Sequence, residues 1–449
     1  MINVRSRPGR FLGGTAIAVL LLGATISCSY LKWRRDKSAQ RRALEERPWD
    51  LALRKEYAPQ DCFGLVGRLS IPRDVVADLL VAAFDHDREG LDLVGSHEIA
   101  AHAQSYGVLL PSGTYDILIF ADLNHDGFYE SDEVVAGTPR ESPVLVAANR
   151  SSDGVLVPGP NLTVDLQTPQ TTAAAVRIAV DRKPYEVDSV DDPMFSDELA
   201  QMGVYQPNRF LARTQRWVFS IGEPDFDKVQ VVLVHGINGT PRDFQKLIAG
   251  LDPAHYQVWV FFYPSGLSLE QLGIILAGVL ENIAAASDVP PSHLRMGVVA
   301  HSLGGLVGRR AVNEVCRTGK PPYLKVYASF DTPYGGVEKA LRAVTKGSEI
   351  VPSWRDVAVG SDFLTRLHGT PLPSDLPFQL YFGWGKGSTR GPNPAGDGTI
   401  SLGSQLDPRA QAAATGVQGF EDTHVGILED AEAIEALSKL LAATGARGR

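Results

Sequence analysis

The sequence predicts a mostly parallel sheet covered by helices on both faces, preceded by a small all-β, sandwich-like domain and an N-terminal anchor. Three observations carry this prediction. From about Arg209 onward, β-type runs alternate with helical stretches, as in a chain of βαβ units. From about Cys62 to Leu166, short β-type runs are separated by turn residues, with no competing helical period. The first 31 residues are basic and then apolar. A chain of 449 residues is too long for one average domain. The boundaries are read as anchor 1–31, charged tether 32–60, β domain 61–168, connector 169–208 and α/β domain 209–449.

Arg5, Arg7 and Arg10 form a positive start, and Phe11 to Ile26 is an uncharged apolar run. This is the order of an export signal. Thr25-Ile26-Ser27-Cys28 resembles a bacterial lipobox, with Thr25 where such boxes usually carry Leu. The resemblance implies lipidation of Cys28. A spanning anchor, Phe11 to Leu31, and a simple cleaved signal remain open. Each of the three exports the rest of the chain from the cytoplasm, and either anchor would hold it at a membrane of the cell envelope. The tether after it carries Arg34, Arg35, Arg41, Arg42 and Arg47 among acids, suited either to anionic head groups or to solvent. The net charge of −9 offers no footprint for nucleic acid, which calls for a basic face. Three cysteines make no disulfide framework. Cys316 reads as a small apolar side chain on a helix, although pairing with Cys62 is open.

In the β domain the runs Leu65 to Ile71, Tyr115 to Ala121, Val144 to Ala147 and Leu162 to Leu166 are the expected strands. The connector holds little that can be assigned. In the α/β domain, Val229 to Val234 reads as a doubly buried strand. Helix 241–251, strand 257–263, helix 269–286, strand 294–299, helix 303–316 and strand 323–330 follow. A strand 379–382 and a C-terminal helix 428–443 complete the order.

Ala300-His301-Ser302-Leu303-Gly304 lies between a strand and a helix. A serine there sits on a tight turn that exposes its hydroxyl, and small flanking residues let the two backbones approach. Ala300 stands where such turns usually carry Gly. Upstream, Leu233-Val234-His235-Gly236-Ile237-Asn238-Gly239 ends the first buried strand, with glycines that allow a sharp turn beside the serine. The amides of Ile237 and Leu303 are the expected oxyanion donors.

With a serine in this context, acid and base follow it in the order Ser, acid, His. Only His368 and His424, of ten histidines, lie beyond Ser302. His301 is expected to point away from the serine, and His235 belongs to the oxyanion turn. His368 precedes the preferred acid, so His424 is the candidate base. Asp397, in the turn Gly396-Asp397-Gly398-Thr399 after a late strand, is the preferred acid. Asp331, in Ser329-Phe330-Asp331-Thr332-Pro333, is its rival.

Together His235-Gly236, Ala300 to Gly305, Thr332 to Gly336, Gly396 to Thr399 and His424 resemble the motifs of α/β-hydrolase-fold lipases and esterases, including their acyltransferase relatives. The likeness covers about residues 209–441. It implies cleavage of a carboxylic ester through an acyl-serine intermediate, with no cofactor required for catalysis; a lipid-like acyl group is what a lid formed by residues 337–377 would favour. An acyltransferase with the same triad, or a catalytically silent binding or scaffold protein, are the alternatives. Residues 337–377 form either an apolar lid or an ordinary crossover.

In the β domain, Asp122-Leu123-Asn124-His125-Asp126-Gly127-Phe128 to Glu133 matches a calcium-loop pattern. Asp122, Asn124, Asp126 and Glu133 would be side-chain ligands and Phe128 a carbonyl ligand of a structural Ca²⁺. A strand precedes it instead of a helix, so an Asx-rich hairpin turn is the other reading.

Overall fold

A computed structural model of the chain describes residues 62–445 apart from 73–76, 88–90, 100–104, 147–155, 173–174, 180–185, 215, 288, 347–349 and 386–395, together with residues 30, 31, 34, 35, 39 and 42. The expected export segment with Cys28, and most of the tether, lie outside the described residues. Among the described residues no helix is long and apolar enough to cross a membrane.

The N-terminal β-rich region consists mainly of two sheets. In one, Cys62–Ser70 pairs antiparallel with Ser105–Pro111 and parallel with Leu156–Pro158 and Leu162–Thr163. In the other, Leu93–Ile99, Leu79–Asp85, Gly113–Ala121 and Val134–Gly137 follow in that order, with Val144–Val146 on Gly113–Ala121. Alternate residues point inward, so Leu65, Val108 and Leu110 from the first sheet meet Val81, Ile117 and Ile119 from the second in one buried cluster. Leu79–Asp85 is buried at every position. Its other face, Leu80 and Phe84, packs with Phe120, Tyr129 and Ile178.

Ile178 belongs to a strand, Arg177–Ala179, that pairs antiparallel with Phe128–Glu130. The stretch expected to be a connector is therefore structured. It also supplies the first strand and first helix of the α/β region, and the opening residues of the second helix. Strands of two or three residues show no periodicity, so the sequence pattern could not reveal them.

The α/β region runs β1 (Glu186–Val187), α1 (Asp197–Tyr205), α2 (Pro207–Thr214), β2 (Val218–Ile221), β3 (Val229–Val234), α3 (Gln245–Ala249), β4 (Tyr256–Phe261), α4 (Leu269–Ala285), β5 (Met296–His301) and α5 (Leu303–Val315). It continues with β6 (Leu324–Phe330), α6 (Glu338–Lys346), α7 (Pro352–Asp356), α8 (Asp362–Gly369), β7 (Phe378–Gly383), α9 (Leu402–Gln405), α10 (Pro408–Ala413), β8 (Gly416–Phe420) and α11 (Ala431–Gly445). The sheet order is β1-β2-β4-β3-β5-β6-β7-β8. Every pairing is parallel except that of β2 with β4. This is the expected α/β-hydrolase fold.

Both faces of the sheet are covered, which explains the continuous apolar strands. In β3, Val232 and Val234 join a cluster with Leu272, Leu276, Leu306 and Val307 of α4 and α5. Val231 and Leu233 face the other way, toward Phe244, Leu247, Leu437 and Leu441. Each such fully buried side chain contributes about 1.5–3 kcal/mol. The segment between β6 and β7 is a crossover built into this core, because Val357, Ala358, Phe363, Leu364 and Leu367 belong to the first cluster. Asp356 secures it by accepting the Leu269 amide at the start of α4 (2.7 Å).

Candidate active site

The site stands where β3, β5, β6 and β7 end. Ser302 joins β5 to α5 with φ 56° and ψ −129°, a conformation that costs a non-glycine residue of order 1–3 kcal/mol. Its neighbours show why the chain must be small here. A Cβ at Gly304 would lie 2.3 Å from the His235 carbonyl oxygen and 2.4 Å from that of Val234. A Cβ at Gly305 would collide with Thr332. The departure at Ala300 is accommodated by Gly308, one turn into α5, where an added Cβ would already sit 3.4 Å from the Ala300 methyl.

The His235 turn closes over the serine. A Cβ at Gly236 would stand 2.9 Å from Ser302 Cβ and 3.3 Å from Oγ, so glycine is required there. The turn is fixed from several sides. Asn238, at φ 54°, donates its amide to Ser265 Oγ (3.0 Å). Thr240 and Asp243 form a capping box immediately after it. His235 Nδ1 donates to the Gly236 carbonyl (2.8 Å) and its ring stacks on Tyr263 at 4.3 Å. Burial lowers the His235 pKa to about 4, so it is a neutral strut of this turn. Leu303 is the first residue of α5, whose opening amides have no partner within the helix. Ile237 follows Gly236 directly.

His424, on the loop between β8 and α11, reaches Ser302 Oγ through Nε2 at 2.8 Å. Its Nδ1 lies 2.7 Å from Asp397 Oδ2. A carboxylate only accepts, so the ring hydrogen sits on Nδ1 and Nε2 accepts from the serine. The backbone holds the same pair, since the His424 amide donates to the Asp397 carbonyl (3.0 Å). Asp397 lies in a tight turn with Gly396 at φ 155° and Gly398 at φ 93°. Its Oδ1 accepts the amides of Thr399 and Ile400, each at 2.7 Å, and Oδ2 accepts Gln405 Nε2 at 3.1 Å. Burial alone would raise its pKa. The hydrogen bond and charge of His424, with the Ile400 and Thr399 amides, outweigh that and hold it below the ordinary carboxylate range.

Asp331, at the end of β6, is fully buried with φ 50°. Its Oδ2 stands 3.7 Å from His424 Nδ1, a full ångström beyond Asp397. The sequence also leads one to expect that His301 points away from the serine. Instead its ring packs 4.7 Å from that of His424, and Nε2 donates to the His424 carbonyl at 2.7 Å. Burial, foremost, lowers its pKa to about 3, so it braces the loop as a neutral group. His368 belongs to the last turn of α8 and bonds the Tyr334 carbonyl (3.0 Å), apart from the serine. His301, Gly383 and Gln405 are thus site residues that the sequence motifs did not single out.

The acidic loop of the N-terminal region brings its expected ligands together around their own backbone. Asp122 accepts the amides of Asp126 and Gly127 (each 3.1 Å), and Glu133 those of Leu123 and Glu130 (each 2.9 Å). Gly127 has φ 84° and His125 φ 58°. Phe128 begins the strand paired with Arg177–Ala179. Among the described residues, His301, Asp331 and His424 each bring one such ligand atom within 4.8 Å of the other two.

Residues 227–366 match the family described as "Putative serine esterase (DUF676)". The match spans β3 through most of α8 and so contains Ser302 and Asp331, and ends before Asp397 and His424. No curated protein matches. Among solved structures the chain is similar to the mature form of Bacillus licheniformis lipase BlEst2, at 18% identity over 50% of this chain and 98% of that chain, TM-score 0.39. It is similar to Aspergillus fumigatus lipase B at 16% identity over 52% of this chain and 56% of that chain, TM-score 0.40. Paleococcus ferrophilus monoacylglycerol lipase is similar at 16% identity over 51% of this chain and 98% of that chain, TM-score 0.36. The family match supports a serine ester hydrolase; the fold assignment rests on the strand order and the Ser302 turn.

Proposed function

We propose that the chain is an exported, membrane-anchored serine hydrolase that cleaves carboxylic esters of lipid-like acyl groups through an acyl-serine intermediate. The observation that carries this reading is the unbroken hydrogen-bonded series Asp397, His424, Ser302 at 2.7 and 2.8 Å, set on a strained strand-to-helix turn. His424 Nε2 takes the Ser302 proton as Oγ bonds to the ester carbonyl carbon. Asp397 holds the Nδ1 hydrogen and stabilises the imidazolium. The Ile237 and Leu303 amides face the new oxyanion; losing one such donor costs about 10²–10³ in rate. The carbonyl re-forms, the ester C–O bond breaks, and the imidazolium hands its proton to the leaving alcohol. Water then attacks the acyl-serine carbonyl, giving a proton to His424; the acyl C–Oγ bond breaks, the acid leaves, and His424 returns the proton to Ser302 Oγ.

An apolar acyl group fits the exposed apolar residues on the segments that carry the site. Ile237 is 37% exposed, Trp384 45% and Val425 48%, each within three residues of a site residue or of Gly383. Export and anchoring rest on the basic-apolar N-terminus and Cys28, with lipidation of Cys28 favoured over a spanning segment. The Asp122 loop is proposed as a structural calcium site, since its hard oxygen donors suit that ion; catalysis requires no cofactor. An acyltransferase would differ only in the acceptor of the acyl group.

Hydrolysis of p-nitrophenyl esters of rising chain length tests the reading. Ser302-dependent turnover that increases with acyl length supports it. Turnover unchanged in Ser302→Ala overturns the mechanism, and a preference for acetate overturns the lipid-like acyl class.

A further inference from the structure

Two buried carboxyls converge on the single N–H of His424. Asp397 Oδ2 is at 2.7 Å and Asp331 Oδ2 at 3.7 Å. Glycine at 383 makes this possible, since a Cβ there would stand 3.0 and 3.1 Å from the Asp331 oxygens and 3.1 Å from Asp397 Cβ. The two acids are provided for very differently. Asp397 receives two amides on one oxygen, and Gln405 and His424 on the other. Asp331 receives the Gly383 amide on Oδ1 (2.5 Å), while its buried Oδ2 takes up no hydrogen bond from any described residue. Among the described residues, neither acid pairs with a lysine or arginine.

The other titratable groups facing this pair do not change the balance. Asp422 adds negative charge, and His301 is neutral. Two ionised carboxylates cannot share so small a buried space with one neutral imidazole.

We propose that Asp331 is a neutral carboxylic acid whose Oδ2 hydrogen is donated to the Asp397 carboxylate, so that the two acids hold one proton and Asp331 positions Asp397 against His424. The inference rests on the reading of Asp397, His424 and Ser302 as a triad. A proton on Oδ2 turns an unsatisfied buried acceptor into a donor aimed at the adjacent charge, which removes the cost of leaving it bare. Burial, and then the negative charge of Asp397, push the Asp331 pKa well above the ordinary carboxylate range. This proton stays on the pair through turnover. The mobile one passes from Ser302 Oγ to His424 and on to the leaving alcohol. Asp331 is thus a positioning residue, distinct from an acid that accepts from His424 itself.

The test contrasts two substitutions. Asp331→Ala removes the donor and lowers kcat about tenfold with KM unchanged. Asp331→Asn keeps a neutral donor in the same place and recovers most of that loss. A loss with Asn as large as with Ala, or larger, would make Asp331 an ionised acid and overturn the proposal. A second readout needs no turnover. At pH 8 the Ser302→Ala protein should show an infrared carbonyl band of a neutral carboxylic acid that vanishes in Ser302→Ala/Asp331→Asn. Of the other raised acids, Asp243 and Asp356 have pKa values of about 6 and are ionised there, and any band from Glu281, raised by partial burial, is common to both variants and cancels in their difference. No such band means that Asp331 is charged. Should the wild type cleave no ester, the triad reading fails, and the band still decides the state of Asp331.

Discussion

Two acidic turns in this molecule use nearly the same local chemistry to different ends. In the N-terminal region, both oxygens of Asp122 are taken up by the amides of Asp126 and Gly127. In the turn before α9, Asp397 satisfies two amides with Oδ1 alone. That leaves Oδ2 for His424. A turn carboxylate organises its own loop when both oxygens face inward, and acts on another loop when one is left over. Spacing of Asp and Gly along the sequence does not distinguish the two cases; the path of the neighbouring strands does.

The sharpest way to break the comparison is to remove each carboxylate. Removing the orienting acid of a serine triad costs about 10⁴ in kcat. Asp397→Asn/Asp331→Asn should reach that loss, while Asp397→Asn alone retains at least about tenfold more activity, because Asp331 can then ionise and serve His424. Equal loss in single and double variants would show that Asp331 has no such reserve. Asp122→Ala is read in melting temperature, which should fall by several degrees as the Asp126 and Gly127 amides lose their acceptor.

Backbone geometry gives the next effect. Gly304→Ala places a methyl against the His235 and Val234 carbonyls and should lower kcat at least about a hundredfold, comparable to losing an oxyanion donor. Gly308→Ala meets side chains alone, the tightest being Tyr327 Cε2 at 3.1 Å, and should cost less than a tenth as much. Equal effects would refute the account of the Ser302 turn.

His301→Ala should lower kcat about tenfold with KM little changed, through loss of the bond to the His424 carbonyl. An unchanged kcat would remove His301 from the site.

The smallest effect is in pH. Asp397 has its folded pKa lowered, so its contribution to stability is complete above the ordinary carboxylate range and is lost as pH falls through the folded value. Below about pH 4 the wild type should therefore lose melting temperature faster than Asp397→Asn. Parallel curves would mean an unperturbed Asp397.

The fold was legible where patterns are long. The apolar strands β3 and β5, helices α4 and α5, and the strand-serine-helix order all stand close to where periodicity and glycines place them. The place of His424 beside Ser302 was legible because chain order leaves only two histidines beyond that serine. Other features depend on distant contacts. Gln405 reaches Asp397 from α9, Gly383 accommodates two acids, and His301 turns under a loop more than a hundred residues away. None of these has a local signature. The Asp331–Asp397 relation likewise exists only where β6 and β7 end side by side.

The central claim, that Ser302 is an activated nucleophile, is tested most directly by labelling the purified protein with a fluorophosphonate and locating the adduct by mass spectrometry. The account predicts a single adduct on Ser302, lost in Ser302→Ala and greatly slowed in His424→Ala. Absence of an adduct on correctly folded protein, or an adduct on another residue, would contradict it.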